Sequence, residues 1–207
     1  MNVYKMALGV YAANCYIVTS SDNSESIVVD PGGDIDEILK VVNKLKTTVK
    51  FIVLTHGHGD HIGGVVKLKE KLDVPVMVHK DELDMVKSSA LNMSSSMMTG
   101  EAYFDPDILL TEGDQIWIGD ENLEVIHTPG HTFGGICLKG DKFLITGDTL
   151  FKGSIGRTDL YGGDYKSLLF NIKTKLLVLD DDIIVYPGHG SESTIGYEKK
   201  NNPFLRK

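Results

Sequence analysis

The stretch Thr55-His56-Gly57-His58-Gly59-Asp60-His61 constrains this chain more than any other feature in it. Three imidazoles and a carboxylate fall within six residues, and the glycines between them free the backbone to turn sharply. Imidazole nitrogen with carboxylate oxygen, and no thiolate nearby, is a donor set for zinc, iron or manganese. The stretch follows residues 50–55, where Phe51-Ile52-Val53-Leu54 forms a short continuous apolar run, the pattern of a strand buried on both faces. The chain must therefore fold so that a buried strand ends on a loop dense in ligands.

Three further donors stand on similar glycine-containing turns. They are His131 in Thr128-Pro129-Gly130-His131-Thr132, Asp148 in Thr146-Gly147-Asp148-Thr149, and His189 in Tyr186-Pro187-Gly188-His189-Gly190. Singly, each reads as a turn histidine or as an aspartate capping its own loop. Together with the first motif they read as a set. A catalytic zinc takes about three protein ligands and keeps a position open for water, so this set is too large for one ion and suits two. His56, His58 and His131 are expected to hold one metal and Asp60, His61 and His189 the other, with Asp148 bridging. Of the remaining histidines, His79 ends a strand-like run and reads as a surface or turn residue. His127, four residues before His131, reads as structural, with support of that ligand as the alternative.

The rest of the chain supplies the scaffold. Apolar runs at 3–10, 15–19 and 26–30 read as strands ended by the Pro31-Gly32-Gly33 turn. Ile35, Ile38, Leu39, Val42 and Leu45 recur at helical spacing over 34–45, and Val65, Val66, Leu68 and Leu72 mark a second helix. A strand at 74–79 leads to a helix near 81–87. Further strands are expected at 115–118, 123–126, 135–138, 142–146 and 183–186, with a helix over 164–175. The segment 88–111 has no clear period, and its Met93, Met97 and Met98 suit either the cap of a pocket or ordinary gap filling. Strands and helices thus fall into two similar halves. Two mixed sheets packed face to face, with helices outside, would bury the apolar runs. No linker divides the halves, so 1–207 is expected to form a single α/β domain.

Charge and cysteine content narrow the partners. With 21 Lys and Arg against 29 Asp and Glu, the net charge is −8. That balance argues against a nucleic-acid substrate and against adsorption to anionic membranes. No stretch approaches the roughly 20 apolar residues that cross a bilayer, and the start lacks a secretory pattern, so a cytoplasmic protein is expected. Cys15 and Cys137, the two cysteines, lie in strand-like runs and read as buried free thiols.

The same residues carry a family likeness. His56-Gly-His58-Gly-Asp60-His61, the Pro-Gly-His131-Thr turn, Gly147-Asp148-Thr149-Leu150-Phe151 and Pro-Gly-His189-Gly resemble the metallo-β-lactamase superfamily. Gly153-Ser154-Ile155-Gly156-Arg157-Thr158-Asp159, Gly163-Asp164 and Asn202-Pro203-Phe204-Leu205 are similar to its short glyoxalase II-type, hydroxyacylglutathione hydrolase-like branch. The resemblance spans nearly the whole chain. It implies an αβ/βα four-layer sandwich with two divalent metals at the edge of both sheets, zinc first and iron or manganese as alternatives. It also implies hydrolysis of an S-acyl glutathione, usually S-D-lactoylglutathione. A metal-bridging hydroxide is the expected nucleophile, with Asp60 as a ligand that also orients it. Full-length glyoxalase II has a C-terminal helical extension that contacts glutathione; here only 190–207 follow His189, so that extension is expected to be absent. Arg157 matches a basic residue that touches the glutathione end of the substrate and is a candidate carboxylate clamp. Pairing with Asp159 to pin the loop is its other reading. Tyr161 is a candidate hydrogen-bond donor beside it.

The expected partner is a small-molecule thioester. A thiol of pKa about 8.5 departs as thiolate without a strong general acid, whereas an amide nitrogen needs one. One rival belongs to another reaction class. Persulfide dioxygenases share the fold and a Gly-Arg-Thr-Asp segment like 156–159, but use a single iron and oxygen. Lactones and other esters are further substrates for the same machinery.

Overall fold

Successive residues of a strand point to opposite sides of its sheet, so a strand that is apolar throughout must be covered twice. The computed structural model, which describes residues 1–206, shows two six-stranded sheets that meet this requirement by facing each other. The first contains β1 (Asn2–Leu8), β2 (Ala13–Thr19), β3 (Glu25–Val29), β4 (Thr48–Val53), β5 (Val76–His79) and β6 (Ile108–Leu110), in that spatial order. β1 to β3 pair antiparallel, with Ile17 opposite Val28, and β3 to β6 pair parallel, with Val28 opposite Ile52 and Ile52 opposite Val76. The second sheet follows in the chain as β7 (Gln115–Ile118), β8 (Glu121–His127), β9 (Ile136–Lys139) and β10 (Phe143–Gly147). After a small hairpin of β11 (Leu150–Phe151) and β12 (Ser154–Ile155) come β13 (Ile184–Pro187) and β14 (Ser193–Thr194). Its spatial order is β14-β13-β10-β9-β8-β7; β10 and β13 are parallel and the other neighbours antiparallel.

Alternation assigns each side chain to a layer. Val18, Ile27, Val29 and Val53 of the first sheet meet Leu123, Val125, Leu138 and Ile145 of the second between the sheets. Their neighbours Ile17, Val28 and Ile52 point outward onto Ile38 and Val42 of α1 (Ile35–Leu45). The same outer layer takes in Val65 and Leu68 of α3 (Val65–Leu72), which follows the single turn α2 (Gly59–Ile62). On the far side, Ile126, Cys137, Leu144 and Val185 meet Leu168 of α5 (Tyr165–Asn171) and Ile195 of α6 (Ile195–Asn201), which come after the short α4 (Leu83–Val86). Each fully buried aliphatic side chain contributes roughly 1.5–3 kcal/mol, so this pattern fixes both the layering and the strand register. The result is the expected sandwich of two mixed sheets with helices outside.

Several details differ from the sequence reading. The expected helix over 164–175 is α5 followed by a π-helical stretch, Ile172–Leu176. The helix near 81–87 is split into a 3-10 turn, Lys80–Glu82, and α4. β6, the β11–β12 hairpin, α2 and α6 were not anticipated. The segment 88–111 is no free cap. Asn92 and Ser94 are buried and both bond the Ala102 carbonyl, while the Asn92 carbonyl accepts the Gly59 N–H at 2.8 Å. Met98 alone of its three methionines is fully exposed. Among the described residues no helix is long and apolar enough to cross a membrane. Cys15 and Cys137 are free and buried, as expected, and burial raises both thiols, that of Cys137 to about 12.

Candidate metal centre

Every expected donor lies just beyond the C-terminal end of a strand, on one edge of the sandwich. His56, His58, Asp60 and His61 follow β4, His131 follows β8, Asp148 follows β10 and His189 follows β13. The turns are held from outside the motif. Asp164 caps α5 by accepting the Ser167 N–H at 2.8 Å, and Ser167 and Asn171 then bond the Pro129 carbonyl, fixing the turn before His131. The His189 turn is gripped by β2. Tyr16 Oη and Asn14 Nδ2 donate to the Pro187 carbonyl at 2.5 and 2.9 Å, and the Asn14 N–H reaches the Gly188 carbonyl at 2.7 Å. Gly188 is required there, because a Cβ would stand 2.1 Å from Asp148 Oδ1.

The donors gather into the two expected triads. His56, His58 and His131 offer atoms within 4.8 Å of one another, and so do Asp60, His61 and His189. Asp148 lies between them: Oδ2 is 3.6 Å from His131 Nε2, and Oδ1 is 3.4 Å from His61 Nε2. Nitrogens crowd each other, with His58 Nδ1 2.9 Å from His131 Nε2 and His61 Nε2 3.3 Å from His189 Nε2. His56 Nε2, His58 Nε2 and Asp148 Oδ1 are buried with no partner. Buried polar atoms are nearly always satisfied, so His56 Nε2 and Asp148 Oδ1, left open beside the crowded nitrogens of His58, His131, His61 and His189, mark a cation site. The cluster suits a binuclear metal centre.

Electrostatics separates the two triads. Burial holds the His56, His58 and His131 imidazoles below the usual histidine range, His58 at about 3, which keeps them neutral as ligands must be. Burial also acts to lower His61, but the Asp148 and Asp30 carboxylates outweigh it and raise that imidazole. Asp148 is held low against the effect of burial by His61 and its other imidazole neighbours, and Asp60 against burial by His189 and His61.

The sequence reading missed the groups that orient the ligands. Asp30, at the end of β3, places Oδ2 3.0 Å from His61 Nδ1. It also accepts the Thr55 N–H and hydroxyl at 2.7 and 2.5 Å, and the Thr55 hydroxyl lies 3.1 Å from His56 Nδ1. Asp30, His56 and His61 also lie within 4.8 Å of each other, but the oxygens of Asp30 are already committed, which makes it a support and not a ligand. A charged residue closing the apolar run 26–30 was the one available signal. His131 Nδ1 finds its partner in the Arg157 carbonyl, 2.8 Å away.

Other expectations need correction or refinement. His79 caps the 3-10 turn that follows it, its Nδ1 accepting the Asp81 N–H at 3.3 Å, but it does not reach the surface. It is 2% exposed and stacks on His127, with ring centroids 3.9 Å apart and planes 19° apart. Burial and that neighbour lower the His79 imidazole to about 4. His127 accordingly does not support His131; its Nε2 bonds the Phe133 carbonyl at 2.9 Å. His79, Asp81 and His127 also offer donor atoms within 4.8 Å, yet stacked rings send their in-plane lone pairs alongside each other rather than toward one point. Arg157 turns its guanidinium onto Asp159, with bonds of 2.7 and 2.8 Å, the second of its two readings. Tyr161 lies edge-on to Phe133, centroids 5.4 Å apart, and is partly exposed. Phe133, Tyr161 and Lys80 line a surface groove of about 430 Å³, and neither it nor a groove of about 450 Å³ beside Gly32 and Gly63 is lined by any of the seven donors.

Comparison with known proteins agrees with this geometry. A model of the metallo-beta-lactamase superfamily matches residues 8–189. The chain is similar to a Haemophilus influenzae protein named hydroxyacylglutathione hydrolase GloC, with 35% identity over 99% of this chain and 98% of that one. The solved structure of the BLEG-1 B3 metallo-beta-lactamase superposes with a TM-score of 0.94 at 37% identity, covering 100% of both chains. TTHA1623, solved in a di-iron-bound form, superposes at 0.85 with 34% identity, covering 98% of this chain and 100% of that one.

Proposed function

Because this chain belongs to the metallo-β-lactamase superfamily, we propose that it is a two-metal hydrolase, a thioesterase that cleaves S-lactoylglutathione or a related S-acyl thiol. The observation that carries the reading is the pair of donor triads facing one shared carboxylate, with buried His56 Nε2 and Asp148 Oδ1 left without a hydrogen-bond partner. The name of the Haemophilus relative supports the glutathione thioester as substrate class. Zinc suits this imidazole-rich set, and iron is the alternative favoured by the di-iron relative.

His56, His58 and His131 would hold one ion, Asp60, His61 and His189 the other, and Asp148 both. Two such ions supply a water of pKa near 7 and polarise a carbonyl oxygen. The chain's own groups do the rest. Asp60 lies at the partly open face with Oδ2 3.1 Å from His189 Nε2, where it fixes the orientation of the attacking water. Asp148 is a ligand and not a base, since its two oxygens are divided between the triads. No general acid is needed, because the thiol leaves as thiolate. Arg157 and Tyr161 are placed on the surface beyond the His131 turn, and in this reading Arg157 exchanges Asp159 for a substrate carboxylate. The net charge of −8 suits a small-molecule partner and not nucleic acid.

Hydrolysis of S-D-lactoylglutathione by purified protein, with metal quantified on the same sample, tests the reading. Turnover with about two metals per chain, abolished by a chelator and restored by zinc, is the expected result. Two metals with no turnover would redirect the search to lactones or other esters. A single iron with oxygen uptake would replace hydrolysis by persulfide oxidation.

A further inference from the structure

The turns that carry His56, His58 and His131 leave different sheets, and one buried side chain joins them. Glu82 ends the 3-10 turn after β5 and is 1% exposed. Its Oε2 accepts the Gly57 N–H at 2.8 Å, and its Oε1 accepts the Gly134 N–H at 2.6 Å. Gly57 separates His56 from His58, and Gly134 lies three residues beyond His131. Contact is close: a Cβ at Gly134 would stand 2.7 Å from Glu82 Cγ. A buried carboxylate is a poor device for stability alone, because desolvation offsets most of what its hydrogen bonds return. What this one achieves is a fixed distance between two ligand-bearing turns. The other triad takes its support elsewhere, from Asp30 and from the β2 contacts to Pro187 and Gly188.

We propose that Glu82 is a positioning residue for one metal only, its two oxygens setting the spacing of His56 and His58 against His131 and so the affinity of that half of the centre. The proposal rests on the two-metal reading above. Glu82→Gln is the informative change, since an amide oxygen accepts one N–H while its NH2 group opposes the other donor.

The test is zinc affinity, read by competition with a chromophoric chelator on metal-free protein. Wild type and E82Q are compared directly and again in the His189→Ala and His131→Ala backgrounds, each of which retains one intact triad. The expected result is a 10–100-fold loss on adding E82Q to His189→Ala, with no more than about a threefold change on adding it to His131→Ala. Equal losses in both backgrounds, or no loss in either, would overturn the proposal. If E82Q does not fold, Glu82→Asp, which keeps the charge but reaches one turn only, is judged by the same asymmetry. Wild type that binds a single zinc would remove the two-metal reading. Glu82 would then stand or fall on whether its replacement weakens that one ion.

Discussion

The two halves of the candidate metal centre differ by one carboxylate and meet water and charge differently. His56, His58 and His131 are buried, neutral and joined from behind by Glu82. Asp60, His61 and His189 contribute a carboxylate, an imidazole raised by its acidic neighbours, and a histidine whose side chain is 32% exposed. One half thus offers three buried imidazoles held below the usual histidine range, while the other sets an imidazole raised by the Asp148 and Asp30 carboxylates beside a carboxylate ligand. The contrast suits a division of labour in which the closed half holds a carbonyl oxygen and the open half faces the attacking water.

The sharpest way to break the contrast is to remove the group both halves share. Asp148→Ala should cost several kcal/mol of transition-state stabilisation, on the order of 10³ in kcat/KM, with metal lost from both halves. Metal analysis showing one ion retained at full affinity would mean Asp148 belongs to a single half. Next in size, Asp60→Asn should lower kcat on the order of 10²-fold while the three-histidine half keeps its ion and the fold is intact. Unchanged kcat with full metal content would reassign Asp60.

Titration sharpens the comparison from the side of Glu82. Burial raises its carboxyl from an ordinary 4.5 to about 7, against the hydrogen bonds that lower it. Below pH 4.5 both folded and unfolded chains are protonated there and the contribution to stability is complete. As the pH rises from 4.5 through 7 the unfolded chain gives up the proton first, and roughly 3 kcal/mol is lost. Urea melts of metal-free wild type and E82Q across that range should converge or cross in this sense. Parallel curves would show that the site does not discriminate between the charged and neutral acid. The smallest effect belongs to the rim: Arg157→Ala should raise KM for glutathione thioesters several-fold, about 1 kcal/mol, with kcat held. A fall in kcat at constant KM would move Arg157 from binding to support of the His131 turn, which its carbonyl already contacts.

The seven donors were legible because each sits on a glycine-bearing turn at a strand end, a local pattern that needs no knowledge of the fold. The layers were legible because strands covered on both faces read as unbroken apolar runs, as Phe51 to Leu54 does. What escaped notice was set by distant contacts. Glu82 acts on amides 25 and 52 residues away, and no periodicity around it hints at burial. His79 is buried by a ring 48 residues further along the chain. β6 is three residues long and takes its identity from pairing with β5, with Val78 opposite Leu109, inside a segment without period. α6 begins with Ile-Gly-Tyr, a weak helix start that is secured by the Thr194 cap and the packing of Ile195.

The grip of β2 on the His189 turn bears on the order in which the molecule can assemble. Asn14 and Tyr16 meet residues 171 to 176 positions further along, among the largest sequence separations in the fold. Contacts of that span close a long loop and form late. During synthesis the strands around the His56 motif can pair while the final ligand has yet to be made, and the contacts of Asn14 and Tyr16 to the His189 turn wait for β13. A chain stalled short of β13 therefore holds six of the seven donors and no closed site.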